Sequence, residues 1–73
     1  METLDLHGIK HQQVDEVTRS FLNFIDLPCQ VVTGNSEQMK AIVRSVVREY
    51  EWFCYEKSSY NHGTLVITER NVK

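Results

Sequence analysis

From Thr3 to His7 apolar and polar positions alternate, with Leu4 and Leu6 on one side and Asp5 and His7 on the other. This is the period-two pattern of a half-buried strand, and Gly8 interrupts it. Between His11 and Ile25 the apolar residues Val14, Val17, Phe21 and Phe24 recur at steps of three and four, with Ile25 beside the last. That spacing predicts one helix with a single apolar stripe. Asp26, Leu27 and Pro28 end it, because proline disfavours helical geometry in the residue before it and cannot continue the hydrogen-bond ladder. Cys29 to Thr33 is short and rich in β-branched residues, and Gly34-Asn35 comes directly after it, so it reads as a buried strand running into a tight turn. A second helix begins there, capped by Asn35 or Ser36; with Asn35 as the cap, Gln38 sits where a capping box needs it. Met39, Ile42, Val43, Val46, Val47 and Tyr50 carry its stripe to about Glu49. Trp52 to Lys57 reads as an aromatic-rich strand, residues 58–63 as a loop, and Thr64 to Thr68 as a strand of strong β preference. The tail after Arg70 is expected to fray.

The order is strand, helix, strand, helix, strand, strand. Right-handed crossovers in two successive strand-helix-strand units put both helices on one face of the sheet. The fold class is therefore an α/β two-layer sandwich on a four-stranded mixed sheet, with the other sheet face open and Asp5 and His7 turned towards it. The 73 residues read as a single domain, residues 1–73, with a core of about residues 3–69. Surface scaling for a chain of this size gives about 4,700 Å² exposed after folding, or about 62% of the unfolded surface hidden.

Charge and composition narrow the chemistry. Eight Lys and Arg against ten Asp and Glu give a net charge of -2, which excludes binding nucleic acid through bulk positive charge and requires any polyanion site to be local. Cys29 and Cys54 have no CxxC spacing and lie in apolar stretches, so they read as buried thiols of a reducing compartment rather than as zinc ligands or a disulfide. No stretch has the pattern of a signal peptide or the ~18 apolar residues of a membrane span. These features point to a cytoplasmic protein without membrane partners.

Three constellations carry chemistry. Asp5 and His7 stand two apart at the end of the first strand and present a carboxylate and an imidazole together, the equipment of acid–base catalysis. The plainer reading is that Asp5 pairs with a basic neighbour and that His7 caps the next helix. Thr33-Gly34-Asn35-Ser36 leads from a strand to a helix N-terminus, where free amides favour a phosphate oxygen; the plainer reading is an ordinary capped turn. Crevices in α/β sheets open at the carboxyl ends of parallel strands, and both turns occupy such ends. Lys40, Arg44 and Arg48, at steps of four on the second helix, form a stripe that can track a phosphate backbone or simply face solvent. His7, His11 and His62 lack the spacing of a structural metal site. Asp5 is the one candidate holder of Mg²⁺ through water, and Tyr60 is a candidate for stacking on a base.

The Leu4-Asp5-Leu6-His7-Gly8 opening, the Thr33-Gly34-Asn35-Ser36 turn and the Asn61-His62-Gly63 loop before the last strand together resemble the Smr (small MutS-related) domain, over nearly the whole chain from Leu4 to about Glu69. The resemblance implies a βαβαββ fold similar to the C-terminal domain of bacterial translation initiation factor three. It also implies nuclease activity, since Smr domains nick DNA or cleave RNA, some of them on messenger RNA at stalled ribosomes. By position Asp5 and His7 match the family's aspartate and histidine, Gly34 matches the first glycine of its HGxG or TGxG turn, and Asn61-His62-Gly63 stands where the family has a glycine-rich loop. Ser36 replaces the second glycine of that turn. The expected function is that of a stand-alone nucleic-acid-binding domain and endonuclease, with Asp5 and His7 catalytic; Thr33 stands where the turn's histidine variant would be, so His7 supplies the main imidazole and His62 is the candidate second. Its binding residues are Gly8, Thr33, Gly34, Asn35, Ser36, Lys40, Arg44, Arg48, Asn61, His62 and Gly63. The alternative is a non-catalytic module for nucleic acid, the ribosome or a larger partner protein. A third reading is an assembly element that pairs through an open edge at Thr64 to Thr68.

Overall fold

Each stretch of periodic sequence becomes one element in the computed structural model, which describes residues 1–70; the expectation for the tail lies outside them. In chain order these are β1 (Glu2–Asp5), α1 (His11–Leu22), β2 (Cys29–Val32), α2 (Glu37–Glu49), β3 (Phe53–Ser58) and β4 (Asn61–Thr68). The sheet runs β1-β2-β4-β3. β1 is parallel to β2, and β4 is antiparallel to both its neighbours.

Register sorts the side chains into two faces. Leu4, Val31 and Leu65 lie in one row and Cys29, Ile67 and Cys54 in the next. These residues pack with Val14 and Leu22 of α1 and with Met39, Val43, Val46 and Val47 of α2 in a single core. Both helices therefore cover one face, and the two-layer sandwich is as the periodicity predicts. The opposite face carries Thr3, Gln30, Val66 and Tyr55 in a row, with no helix over it among the described residues. The folded chain exposes 4860 Å², close to the value that size alone gives.

Three expectations need correction. α1 stops at Leu22 instead of running to Ile25, and Phe24, placed in its apolar stripe by periodicity, is 87% exposed. The physical reason lies across the helix pair. The Tyr50 hydroxyl donates to Asn23 Oδ1 at 2.6 Å, holding the C-cap residue, and the chain then needs residues 23–28 to reach β2. Residues 58–63 are not a loop. Ser58 Oγ accepts from the amides of Tyr60 and Asn61 at 3.2 and 3.0 Å, which closes a two-residue turn and lets β4 start at Asn61. Finally, Thr64 to Thr68 is no edge, since β4 is paired on both sides; the edges are β1 and β3.

Candidate functional site

The first two constellations meet where β1 and β2 end side by side, with Asp5 opposite Val32. The Leu6 amide still donates to the Val32 carbonyl at 3.0 Å, and the chain then reverses, the Ile9 amide donating to the Leu6 carbonyl at 3.0 Å. Gly8 occupies the third place of this turn with φ +81°, the left-handed conformation that a type II turn needs there. His7 is thereby left exposed at the tip. Asp5 Oδ1 accepts from the His7 amide at 2.8 Å, so the carboxylate fixes the backbone that carries the imidazole. The plainer expectation, a basic partner for Asp5 and a capping role for His7, is not met: Asp5 takes a backbone amide instead, and Lys10 stands at the N-cap of α1.

The end of β2 is tied to the start of β4. The Gly63 carbonyl accepts from the amides of both Thr33 and Gly34, at 2.8 and 3.0 Å, and Thr33 Oγ1 donates to the Gly34 carbonyl at 3.0 Å. Gly34 has φ +66°, the conformation in which glycine avoids a steric cost. The two glycines touch, for a Cβ on Gly63 would lie 3.2 Å from Gly34 Cα. Ser36, not Asn35, caps α2, with Oγ accepting from the Met39 amide at 3.1 Å. Asn35 and Gln38 are exposed, so Ser36 takes the capping role that a box at Asn35 and Gln38 would have filled. His11 Nε2 lies 3.4 Å from the same Ser36 hydroxyl, which joins the start of α1 to the start of α2.

The basic stripe is not continuous. Lys40 is 2% exposed, its ammonium 3.0 Å from Glu56 Oε2 and 3.4 Å from Glu37 Oε2. Its stem is covered where α2 crosses β3, and these carboxylates stand in for the water lost, the Glu56 hydrogen bond foremost in raising the ammonium's pKa. Lys40 is thus committed to the fold and offers no free cation to a phosphate. Arg44 is half-buried beside the Cys54 thiol, which burial pushes up to about 11. Of the three, Arg48 alone is exposed.

Glu56 also accepts from His62, with Nδ1 at 2.9 Å from Oε1. Hydrogen bonds from His62 and then Lys40 pull its carboxyl down to about 2. Beside this pair lies an open groove of about 570 Å³ whose walls include Arg44, Cys54, Ser58, Ser59 and His62. Sequence reasoning takes Glu56, with Glu49 and Glu51, only as a charge that partly cancels the field of the basic stripe. A signal was present, since Glu56 shares the core-facing parity of Cys54, and a charge at that parity needs a partner on the helix above it. Spacing raises His11 only as a metal ligand, and the structure places it against the Ser36 cap instead.

No family model, curated protein or solved structure matches the chain. The likeness to Smr domains thus stands on its motifs and order of elements. Asp5 is the residue that the sequence offers for Mg²⁺ held through water. One of its oxygens is already engaged, and no three His, Cys, Asp or Glu side chains converge among the described residues.

Proposed function

We propose that the chain is an Smr-like nucleic-acid-binding domain and endonuclease whose site is the end of the sheet where β1 and β2 finish. The observation that carries this reading is the Gly63 carbonyl bonded to the Thr33 and Gly34 amides. It brings the third Smr-like motif onto the second, while the pairing of Asp5 with Val32 brings the first beside them. A phosphodiester would lie against the amides that follow Gly34, where the N-terminus of α2 favours negative charge. His7 transfers a proton at the scissile bond, and Asp5 positions it by holding its amide. General acid–base catalysis of this kind contributes about 10²–10⁴-fold. With only Arg48 and part of Arg44 free on α2, affinity is weak and a larger partner delivers the substrate.

The test is cleavage of labelled single-stranded RNA and nicking of supercoiled plasmid, each with and without chelator. His7→Ala is expected to lose at least about 100-fold in rate and Asp5→Ala to lose less; unchanged activity in both variants sinks the assignment. A second reading, a non-catalytic binding module, is favoured by one observation: the Asp5 carboxylate bonds the His7 amide, not its ring. That reading predicts saturable binding without turnover. Affinity that falls steeply with salt then marks nucleic acid as the partner, and a flat response marks a protein such as a ribosomal one.

A further inference from the structure

A strand at the rim of a sheet turns the amide and carbonyl of every second residue outward, ready to pair with another chain. β3 is such a rim. We propose that the groove between β3 and α2 is a docking site for an extended acidic segment of a partner protein, which joins the sheet as a fifth strand beside Phe53 to Glu56. The site is independent of the function proposed above and serves a nuclease and a non-catalytic module alike.

The hydrogen-bond pattern fixes which groups are free. The Gly63 carbonyl accepts from the Thr33 amide, and this pair continues the register of β2 on β4. Bonded and non-bonded pairs alternate in an antiparallel ladder, so Leu65 and Ile67 also bond to β2, while Val66 and Thr68 turn to β3. Their partners Tyr55 and Phe53 are therefore bonded within the sheet. Cys54 and Glu56 point their amides and carbonyls outward, and no turn or loop supplies these with a backbone partner among the described residues. Many edge strands are blunted by a bulge, a proline or a covering loop. The irregularity of β3 lies only past Glu56, towards Ser58, so Phe53 to Glu56, about 13 Å of strand, is a regular template.

The walls of the groove select the occupant. Two adjoining cavities of about 270 and 570 Å³ run between this edge and α2. Arg44 and Cys54 line both, and Arg48, Trp52 and Phe53 line the smaller. Neither arginine has an ion pair among the described residues. Glu56, the carboxylate that lines the larger cavity, is already held by Lys40 and His62. The groove therefore lacks negative charge where the two guanidinium forks stand, and a carboxylate matches them. Strand geometry places the rest. A residue opposite Cys54 shares its helix-facing side and comes beside the arginines, whereas the next residues of the segment lie over the open face, beside Phe53 and Tyr55. Phe53 is 44% exposed, and apolar side chains there cover it. The fitting segment thus alternates acidic and apolar residues, a case of strand addition in which main-chain bonds give affinity and alternate side chains give specificity. A second copy offering its own β3 would bring two more arginines to the same cleft, at a like-charge cost. Cys54 is level with Ile67 and Cys29, at the start of β2, so the docked segment leaves the Gly34 turn at the other end of the sheet uncovered.

The experiment titrates the full chain into a fluorescein-labelled, end-capped hexapeptide of alternating valine and glutamate, read by fluorescence anisotropy, with amide hydrogen exchange measured in parallel. Saturable binding of one peptide per chain is expected. The Cys54 and Glu56 amides should exchange freely in the chain alone and become protected in the complex, with the Tyr55 amide protected in both. Lysine in place of glutamate is expected to weaken binding at least about tenfold, as is the double variant Arg44→Gln with Arg48→Gln. N-methylation of the glutamate amides and of the valine amides, each set in turn, separates strand pairing from charge: one set should abolish binding and the other leave it intact. Absence of binding, equal effects of the two N-methylated sets, a lysine peptide bound as tightly, or Cys54 and Glu56 amides that stay unprotected overturns the inference. Protection of those two amides in a dimer of the free chain makes a second copy the occupant, and their protection by a single-stranded RNA makes it nucleic acid; either result overturns the inference too.

Discussion

Replacing Thr18 by valine should make this protein more stable, although most core substitutions do the reverse. Thr18 lies on the buried face of α1, one turn from Val14 and one from Leu22, and is 0% exposed. Its Oγ1 is the buried side-chain polar atom without a partner among the described residues. Burying a hydroxyl unpaired costs about 1–3 kcal/mol. Valine has the same branched shape and similar side-chain stiffness, so the substitution removes that cost and leaves no cavity. A gain of about 1 kcal/mol is expected, which for a domain of this size raises Tm by roughly 4–8 °C. Thr33→Val is the matched control. Thr33 is also buried, at 6% exposure, but its hydroxyl donates to the Gly34 carbonyl at 3.0 Å. The same change there should cost about 1 kcal/mol and lower Tm by a similar amount. Thermal and urea unfolding followed by circular dichroism, with unchanged urea slopes, would measure both. If Thr18→Val melts at or below the wild type, the hydroxyl is satisfied in solution and the reasoning fails.

Gly63→Ala should destabilise the site end of the fold by about 1 kcal/mol. The overpacking cost of about 1–3 kcal/mol exceeds the ~0.4–1 kcal/mol gained from a stiffer unfolded chain. The new methyl would meet Gly34 backbone at 3.2–3.4 Å, and that backbone is bonded to Gly63 itself and has little freedom to retreat. A melting temperature equal to the wild type's would show that the turn yields. Acid unfolding should fall between about pH 4.5 and pH 2. Asp15 and Glu49 are held below the usual carboxylate range by Arg19, and Glu56 is moved from 4.5 to about 2 by His62 and Lys40. Folding lowers these pKa values, so the unfolded chain binds more protons in that window. Their contribution is complete above the unfolded values and is lost as pH falls through the folded ones. Lys40→Met removes one of the two donors to Glu56 and should flatten this acid limb in a series of melts from pH 7 to pH 2; an unaltered limb would show that Lys40 does not sustain the Glu56 charge.

The features legible in the sequence were those that depend on near neighbours in the chain. Alternation at Leu4 and Leu6 and the stripe from Met39 to Tyr50 gave the elements, and the crossover rule then put the helices on one face. The errors arose where a distant residue decides a local outcome. Phe24 has the right spacing for the core, yet α1 ends before it because Asn23 is held by Tyr50, 27 positions away. The β3–β4 turn was missed for a nearer reason. Ser58-Ser59-Tyr60-Asn61 has the composition of a loop, and only the two amides bonded to Ser58 Oγ reveal a tight reversal.

The candidate site divides along the same line. The turns at Gly8 and Gly34 were legible because positive φ leaves its mark on residue type, and Ser36 as a cap was one of two choices that capping preference allows. Lys40 was misplaced by a rule that is sound in itself, since residues four apart do share a helix face. That rule cannot say how the helix is rotated over the sheet. Rotation is set by the apolar stripe, in which Met39, Val43, Val46 and Val47 all point inward, and Lys40 lies at the flank of that stripe, about 20° beyond Val47 around the helix. A cation so placed is drawn under the helix unless something opposes it, and Glu56 on β3 supplies the charge that lets it stay. Sixteen residues separate Lys40 from Glu56, and six separate Glu56 from His62. The coupling of all three arises from the rotation of α2 and the pairing of β3 with β4, so an imidazole that in the sequence is one exposed loop residue becomes, in the fold, the outer end of a chain of charges anchored in the core.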